Sequence, residues 1–224
     1  PVVNGDGTID LQMDVPTLSQ HPTAPKPVRT GFDADTLSYD WVYVRNPHLE
    51  NYQLKKGRLV LTATPVGLET MDDSPTLICR RQDYTDCTAT TSLRLRGASA
   101  GDEAGLTVYM YEDAHSDIVL RRKADGRNYI TLRHKMGMLT HEEPEVAVAD
   151  GDVQLRVEAT PDASTFSYST NGKTYRKLGS LNARYLSTET VGGFTGIMFG
   201  LFATAGSDAS KATAEVDYFD YERK

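Results

Sequence analysis

The stretch "VQLRVEATPDASTFSYSTNGK", residues 153–173, contains two alternating segments joined by a turn. In the first segment every second residue is apolar: Val153, Leu155, Val157 and Ala159. This period of two is typical of a strand with one buried and one solvated face. The second segment, "STFSYS", alternates Phe166 and Tyr168 with serines and runs into Asn171-Gly172, a strong signal for a β-hairpin. The stretch therefore predicts two neighbouring antiparallel strands.

The same period extends over most of the chain. It recurs in "RLVLTA" from Arg58, "TLICRRQ" from Thr76, "CTATTSLRLR" from Cys87, "AGLTVYMY" from Ala104 and "NYITLRH" from Asn128. The one helical candidate is "LNARYLS", residues 181–187, for which an irregular loop is the alternative. Many short strands separated by Gly, Asn and Asp predict an all-β fold, a two-sheet antiparallel β-sandwich whose inner faces form one core.

The amino-terminal segment differs in composition from the rest. It contains four prolines within a dozen residues: Pro16, Pro22, Pro25 and Pro27. Proline lacks a backbone donor and is disfavoured in central strands. Residues 1–31 are therefore predicted to be a Pro-rich linker and residues 32–224 to form the sandwich domain.

Length and charge narrow the classes of function. The chain has 224 residues, 39% of them hydrophobic, which suits one large all-β domain. A net charge of −7 without a basic stripe argues against nucleic acid or an anionic membrane as partner. No run of 18 apolar residues occurs, so no transmembrane helix is predicted. Cys79 and Cys87 lack metal-ligand spacing and are read as two free thiols, with pairing across a hairpin as the alternative.

Acidic residues are numerous, but their spacing indicates no catalytic pair. A glycosidase needs two carboxyl groups that face each other across a cleft, whereas sequence-adjacent acids such as Asp72 and Asp73 are typical of solvated turns. The five histidines are scattered without metal-ligand spacing, and "NGDGT", residues 4–8, is predicted to be a turn. Asp33 and Asp217, near the first and last strands, are the candidate ligands of a structural calcium ion; no other cofactor is predicted.

Two tyrosines are candidates for contact with a sugar. In "AGLTVYMY" the pattern places Thr107, Tyr109 and Tyr111 on the face opposite the apolar one. There the tyrosine rings could stack on the apolar C–H face of a pyranose. The alternative is that this second face is covered by another part of the molecule.

Several blocks, in this order along the chain, resemble a known accessory domain. They are Phe32-Asp33, Leu37, Trp41, "RNP" at 45–47, Asn51-Tyr52, "GRLVLTA" at 57–63, "RRQ" at 80–82, "EAGLTVYMYED" at 103–113, "FSYSTNGKTYRKLG" at 166–179, "GGFTG" at 192–196 and "VDYFDYE" at 216–222. The domain is the C-terminal concanavalin-A-like β-sandwich, a jelly roll, of the family 43 glycoside hydrolases, which are β-xylosidases and α-L-arabinofuranosidases. The resemblance extends from about Phe32 to Tyr221.

The resemblance implies that catalysis takes place in a different domain from this one. In the family, two aspartates and a glutamate of an upstream five-bladed β-propeller hydrolyse the glycosidic bond, so this chain alone is expected to have no glycosidase activity. The sandwich packs on the propeller, and the phenylalanine of its "GGFTG" loop reaches the active-site mouth. Carried over, Phe194 would contact a xylo- or arabino-oligosaccharide, with Gly192, Gly193, Thr195 and Gly196 shaping the loop.

Two other expectations accompany this interpretation. A face that evolved to pack on a propeller would be apolar, and the isolated domain could then form a homo-oligomer. The alternative function is a free-standing carbohydrate-binding module that holds xylan or arabinoxylan through Tyr109 and Tyr111.

Overall fold

The computed structural model describes residues 2–3, 5–7, 9–10, 28–193 and 196–224. Eighteen strands are found in these ranges. In chain order they are β1 Val2–Val3, β2 Ile9–Asp10, β3 Val28–Gly31, β4 Trp41–Tyr43, β5 Tyr52–Lys55, β6 Arg58–Thr62, β7 Leu77–Arg81, β8 Cys87–Arg96, β9 Glu103–Tyr111, β10 Ala114–Arg122, β11 Asn128–Met136, β12 Leu139–Glu142, β13 Val146–Val148, β14 Val153–Ala159, β15 Ala163–Ser169, β16 Arg176–Asn182, β17 Met198–Thr204 and β18 Thr213–Arg223.

Two eight-stranded sheets pack face to face. Sheet I has the order β12-β11-β10-β9-β17-β7-β4, with β13 also paired to β11. Sheet II has the order β16-β15-β14-β8-β18-β6-β5, with β3 also paired to β18. All pairings between these strands are antiparallel, which confirms the predicted two-sheet antiparallel β-sandwich of concanavalin-A-like type.

Helix is confined to single turns in the described part of the chain. Two 3-10 turns cover Leu49–Asn51 and Ala183–Leu186, and one short α-helix, α1, covers Thr188–Val191. The segment "LNARYLS" thus forms a helical turn, the first of the two alternatives that the sequence left open, and Asn182 caps it by accepting a hydrogen bond from the backbone N–H of Arg184. No helix among the described residues is long and apolar enough to cross a membrane.

The core lies between the two sheets and follows from the alternating pattern. Strand β14 buries every second residue, the four apolar ones of the opening stretch, while the residues between them are partly exposed. Its Val157 stands beside Phe166 of β15. Burying each such side chain contributes roughly 1.5–3 kcal/mol. From sheet I, Trp41 packs edge-on against Phe219 of sheet II with ring centroids 5.2 Å apart.

The hairpin predicted at Asn171-Gly172 is present, with a longer connection than two residues. Strands β15 and β16 pair antiparallel and are joined by residues 170–175. The side-chain oxygen of Asn171 accepts hydrogen bonds from the backbone N–H groups of Lys173 and Thr174, both at 2.9 Å. Gly172 has a φ of 71°, a conformation that favours glycine.

The sandwich begins slightly before residue 32, the predicted boundary. Strand β3 (Val28–Gly31) pairs with β18, and Arg29 forms two hydrogen bonds to the carboxylate of Asp220. The last of the clustered prolines directly precedes this strand, so the proline pattern gave no sign that a short strand begins there. The four prolines of the predicted linker lie outside the described residues.

The two cysteines are buried free thiols in different clusters. Cys87 belongs to the main core between the sheets, whereas Cys79 lies on the other side of sheet I. Burial raises the pKa of both thiols.

The face of sheet I that points away from sheet II, here called the outer face, is partly apolar. A second buried cluster covers it at β7, β9, β10 and β17, with Leu68 from the segment between β6 and β7 packed on top. The other buried members of this cluster are Leu77, Cys79, Tyr109, Val119 and Phe202. The predicted alternative, a second face covered by another part of the molecule, therefore describes this half of the sheet.

Candidate functional site

The glycines of the "GGFTG" segment have the backbone conformation expected of a sharply turning loop. Gly192, Gly193 and Gly196 have φ values of 81°, 81° and 69°, and all three are exposed. A Cβ atom added to any of them would meet nothing within 4 Å, so glycine is required here by backbone conformation and not by crowding. Phe194 and Thr195 lie outside the described residues.

The described residues beside this loop are anchored on both sides. The phenolic hydroxyl of Tyr111 donates a hydrogen bond of 2.7 Å to the carbonyl of Val191, at the end of α1. On the other side, the backbone N–H of Gln82 donates to the carbonyl of Ile197. Tyr111 is the last residue of β9 and Gln82 directly follows β7, so the sheet fixes the points at which the loop leaves and returns.

A groove lies next to the loop. It has a volume of about 370 Å³, and its walls include Tyr84, Met110, Leu186, Gly196 and Ile197. Tyr84 is among the exposed large apolar side chains. A largely apolar groove bordered by an exposed aromatic residue is typical of a surface that contacts another molecule.

Tyr111 does not share a face with Tyr109, contrary to the alternating prediction. The pairing of β9 with β10 shifts by one residue, because Tyr111 stands opposite Ala114 while Tyr109 stands opposite His115. This β-bulge turns Tyr111 toward the main core, where it packs as a partly buried residue. Tyr109 keeps its place on the outer face.

Tyr109 is buried there. Its side chain is 2% exposed, and its ring stacks on that of His115 with centroids 5.8 Å apart. Burial raises the pKa of its hydroxyl, which has no hydrogen-bond partner among the described residues. In this structure the ring of Tyr109 therefore presents no free face to a sugar, and the described contacts give no support to stacking by Tyr109 and Tyr111.

The other half of the outer face is polar and centres on Asp117 of β10. This carboxylate is fully buried and accepts hydrogen bonds from the Thr107 hydroxyl at 2.7 Å, from His115 Nδ1 at 2.9 Å and from Arg133 Nε at 3.0 Å. Burial opposes ionisation, but attraction to His115 and Arg133 and these hydrogen bonds outweigh it and lower the pKa of Asp117 to about 2. Asp117 is thus a structural anion.

An ion-pair network extends from Asp117 toward the sheet edge. Arg133 also binds Glu103 at 2.9 Å, and Glu103 accepts a 2.6 Å hydrogen bond from Arg121. Arg121 in turn binds Glu142 at 2.8 Å and Glu145 at 3.1 Å. The hydrogen bond from Arg121 lowers the pKa of Glu142 although partial burial opposes this. These acids are held as ion-pair partners of arginine.

The buried carboxylates do not form a catalytic pair. Asp102, the other fully buried acid, accepts hydrogen bonds from Ser99 N, Gly206 N and the Ser210 hydroxyl at 2.6–2.8 Å, so it fixes loops. Asp117 is saturated by its three donors. Within the described residues, neither acid has the free oxygen that a general base needs to reach a substrate proton or water.

The two acids predicted to bind calcium, Asp33 and Asp217, are both exposed. Asp33 is exposed beside Gly31 and Gly57, and Asp217 pairs with Arg58 at 3.3 Å. In the described ranges no group of three or more His, Cys, Asp or Glu residues could hold a metal ion. Calcium takes six to eight oxygen ligands, so these residues give the calcium prediction no support.

The scattered spacing of the five histidines in the sequence did not indicate that His115 belongs to this cluster. The usable signal was the alternation in β10, since His115 and Asp117 are two residues apart and so share one face of the strand. The residues that complete the cluster come from β9 and β11, and no local sequence pattern predicts the register in which these strands pair with β10.

Comparison with known proteins places the chain among accessory domains of glycosidases. Residues 29–222 match the family described as the beta xylosidase C-terminal concanavalin A-like domain. A non-reducing end α-L-arabinofuranosidase of Bacteroides ovatus is 33% identical over 99% of this chain and 42% of its own length. A xylosidase/arabinosidase of Butyrivibrio fibrisolvens is 23% identical over 99% of this chain and 44% of its own length.

Solved structures agree in fold. The Bacteroides ovatus xyloglucan PUL GH43B protein superposes with a TM-score of 0.84 and 30% identity, over 93% of this chain and 42% of that one. The GH43 protein BlXynB of Bacillus licheniformis gives a TM-score of 0.81 and 25% identity, over 88% of this chain and 39% of that one. The chain thus spans less than half the length of these relatives.

Proposed function

The chain belongs to the family of C-terminal concanavalin-A-like domains of family 43 glycoside hydrolases, and on that premise we propose that it is the non-catalytic accessory domain of a xylosidase or arabinofuranosidase acting on hemicellulose. The observation that carries the proposal is the share of the relatives' length that this chain covers. The chain matches its relatives over nearly all of its own sequence but over only 42–44% of theirs. The remaining part of such a protein would hold the catalytic five-bladed propeller.

The proposed docking surface is the end of the sandwich that carries the 192–196 loop. The apolar groove beside the loop includes Leu186 and Ile197 and offers apolar area to a rigid neighbour. The loop itself starts and ends on hydrogen bonds to β9 and β7, which would hold a side chain at its tip at low cost in conformational entropy. Phe194 is the residue proposed to reach the substrate pocket, where it would narrow the pocket and exclude water.

The isolated 224-residue chain is expected not to hydrolyse nitrophenyl β-xyloside or nitrophenyl α-L-arabinofuranoside. On this proposal the catalytic acid and base belong to the propeller, and the two fully buried acids described here, Asp102 and Asp117, already accept several hydrogen bonds each, so neither is free to act in glycoside hydrolysis. Release of nitrophenol by the purified chain is the measurement. Turnover that disappears when one acid of this chain is replaced would contradict the proposal.

Phe194→Ala, made in a longer protein that joins this chain to its propeller, is expected to reduce kcat/KM for xylo-oligosaccharides several-fold, chiefly through KM. One aromatic contact with a sugar is worth on the order of 1 kcal/mol, and 1.4 kcal/mol corresponds to about tenfold. Thermal stability should change little, because the flanking glycines border open space and not a packed core.

A matched control separates this effect from a general loss of exposed apolar surface. Met138→Ala removes a side chain that is 98% exposed at the β11–β12 turn and should leave kcat/KM unchanged. If Phe194→Ala has parental efficiency, or unfolds like a core variant, the cross-domain role of Phe194 is wrong. The accessory-domain assignment would survive that outcome, because it rests on the share of the relatives' length that the chain covers and is tested separately by the activity of the isolated chain.

A further inference from the structure

A polar pocket lies on the outer face of sheet I, formed by residues that the proposed accessory role does not use. It has a volume of about 300 Å³ and is lined by Glu69, His115, Arg133, Lys135, Thr140 and Glu142. The register explains how three of them meet. His115 stands opposite Lys135, and Lys135 stands opposite Thr140, so they form one row across β10, β11 and β12.

His115 points to a ligand in this pocket. Its side chain is 2% exposed, and Nδ1 is bound to the Asp117 carboxylate. The other ring nitrogen, Nε2, is buried without a hydrogen-bond partner in the described structure. An unpaired buried polar atom costs about 1–3 kcal/mol, and a ligand that pairs with Nε2 would remove this cost.

The rest of the lining indicates the chemical class of that ligand. Arg133 and Lys135 supply N–H donors, Glu69 and Glu142 supply acceptor oxygens, and Thr140 supplies a hydroxyl. The two carboxylates and the two cations balance in charge, so the lining has no net attraction for either an anionic or a cationic ligand. A hydroxyl group can both donate and accept, so it suits this mixed lining and also either protonation state of Nε2.

We propose that this pocket binds one unit of a neutral saccharide through its hydroxyl groups, with His115 Nε2 as the innermost contact. The volume stands at the lower end of the range for small-ligand pockets, which fits a single sugar unit and not an extended chain. The fixed geometry supports recognition of vicinal hydroxyls, because the Asp117 carboxylate holds both His115 and Arg133 in place. This site depends neither on Phe194 nor on stacking by Tyr109.

The test follows the ring nitrogens of the five histidines by ¹H–¹⁵N NMR while xylotriose is added to the 224-residue chain. The expected result is a saturable shift of the His115 signals that leaves those of His48 unchanged, since His48 is exposed and paired with Asp73 elsewhere. Glycerol and glucuronate are titrated in parallel. Absence of a His115 shift with xylotriose, an equal shift with glycerol, or a shift with glucuronate alone would each overturn the proposal.

Surface variants complete the test without disturbing the buried cluster. Lys135→Met keeps the aliphatic stem but removes the ammonium donor, and it should weaken xylotriose binding about tenfold, the loss of one charged hydrogen bond. Thr140→Ala should weaken it by a smaller factor. The control Lys177→Met removes an exposed lysine of β16 on sheet II and should bind like the parent chain. Equal binding by all three variants would place the sugar elsewhere and overturn the assignment.

Discussion

Asp117→Ala is expected to lower the free energy of unfolding by about 3–5 kcal/mol, the usual result of removing one partner of a buried charge pair. The carboxylate is fully buried and receives hydrogen bonds from Thr107, His115 and Arg133. Without it, the histidine and the hydroxyl lose their partner. Arg133 would keep Glu103 at 2.9 Å and the longer ion pair with Glu142 at 4.0 Å. The cluster would thus be left with unpaired donors in a nearly dry environment.

Urea unfolding of the parent chain, Asp117→Ala and Asp117→Asn measures this effect. The asparagine variant should also be destabilised, because all three neighbours are donors and the amide NH₂ group cannot accept from them. The control is Glu158→Ala, which removes a half-exposed carboxylate paired with Lys224 at 2.7 Å. A surface pair of this kind contributes about 0–1 kcal/mol. Equal losses for Asp117→Ala and Glu158→Ala would show that the cluster is not a stabilising element.

The pH dependence gives the same prediction an independent readout. The folded pKa of Asp117, about 2, is lower than the unfolded value, so ionisation of this group favours the folded state. Its contribution is fully present above the unfolded pKa of about 4 and is lost as the pH falls through about 2. The stability difference between the parent chain and Asp117→Asn should therefore be constant at neutral pH and narrow below about pH 4.

The strands were predictable because they depend on local alternation. In β14 one face must enter the core and the other must stay in water, and the sequence shows this directly. The bulge that separates Tyr109 from Tyr111 was not predictable in the same way. It depends on how β9 pairs with the neighbouring strand, and a shift of one residue moves a side chain to the opposite face.

The candidate sites show the same limit. The backbone conformation at Gly192, Gly193 and Gly196 could be expected from the residue type alone, because φ values above zero favour glycine. The pocket at His115 draws its residues from β10, β11, β12 and the segment before β7, which supplies Glu69. These residues come together only after the sheet register is fixed, and each of them taken alone looks like an ordinary charged or polar residue of a strand or loop.

Gly105→Ala is expected to destabilise the sandwich by about 1–3 kcal/mol or more, the range for adding atoms to a packed core. Gly105 lies on the outer face of β9, opposite Val119 of β10 on one side and Phe202 of β17 on the other. A Cβ atom there would stand 2.0 Å from the carbonyl oxygen of Ile118 and 2.7 Å from the Phe202 ring. The ring could rotate away, but the carbonyl belongs to the neighbouring strand and moves only with the sheet.

A second variant distinguishes these two obstacles. Phe202→Leu removes the ring but leaves the Ile118 carbonyl in place. The double variant Gly105→Ala/Phe202→Leu should therefore lose less unfolding free energy than the sum of the two single losses, but Gly105→Ala should still be destabilising in the Phe202→Leu background. Gly31→Ala is the matched control: it lies on strand β3, and its added Cβ would meet only the mobile end of the Asp33 carboxylate at 3.1 Å. Complete rescue by Phe202→Leu would mean that the ring alone excludes a side chain at position 105. If Gly105→Ala were as stable as Gly31→Ala, the close packing of β9 against β10 would not be what requires glycine, because the backbone would have absorbed the methyl group at little cost.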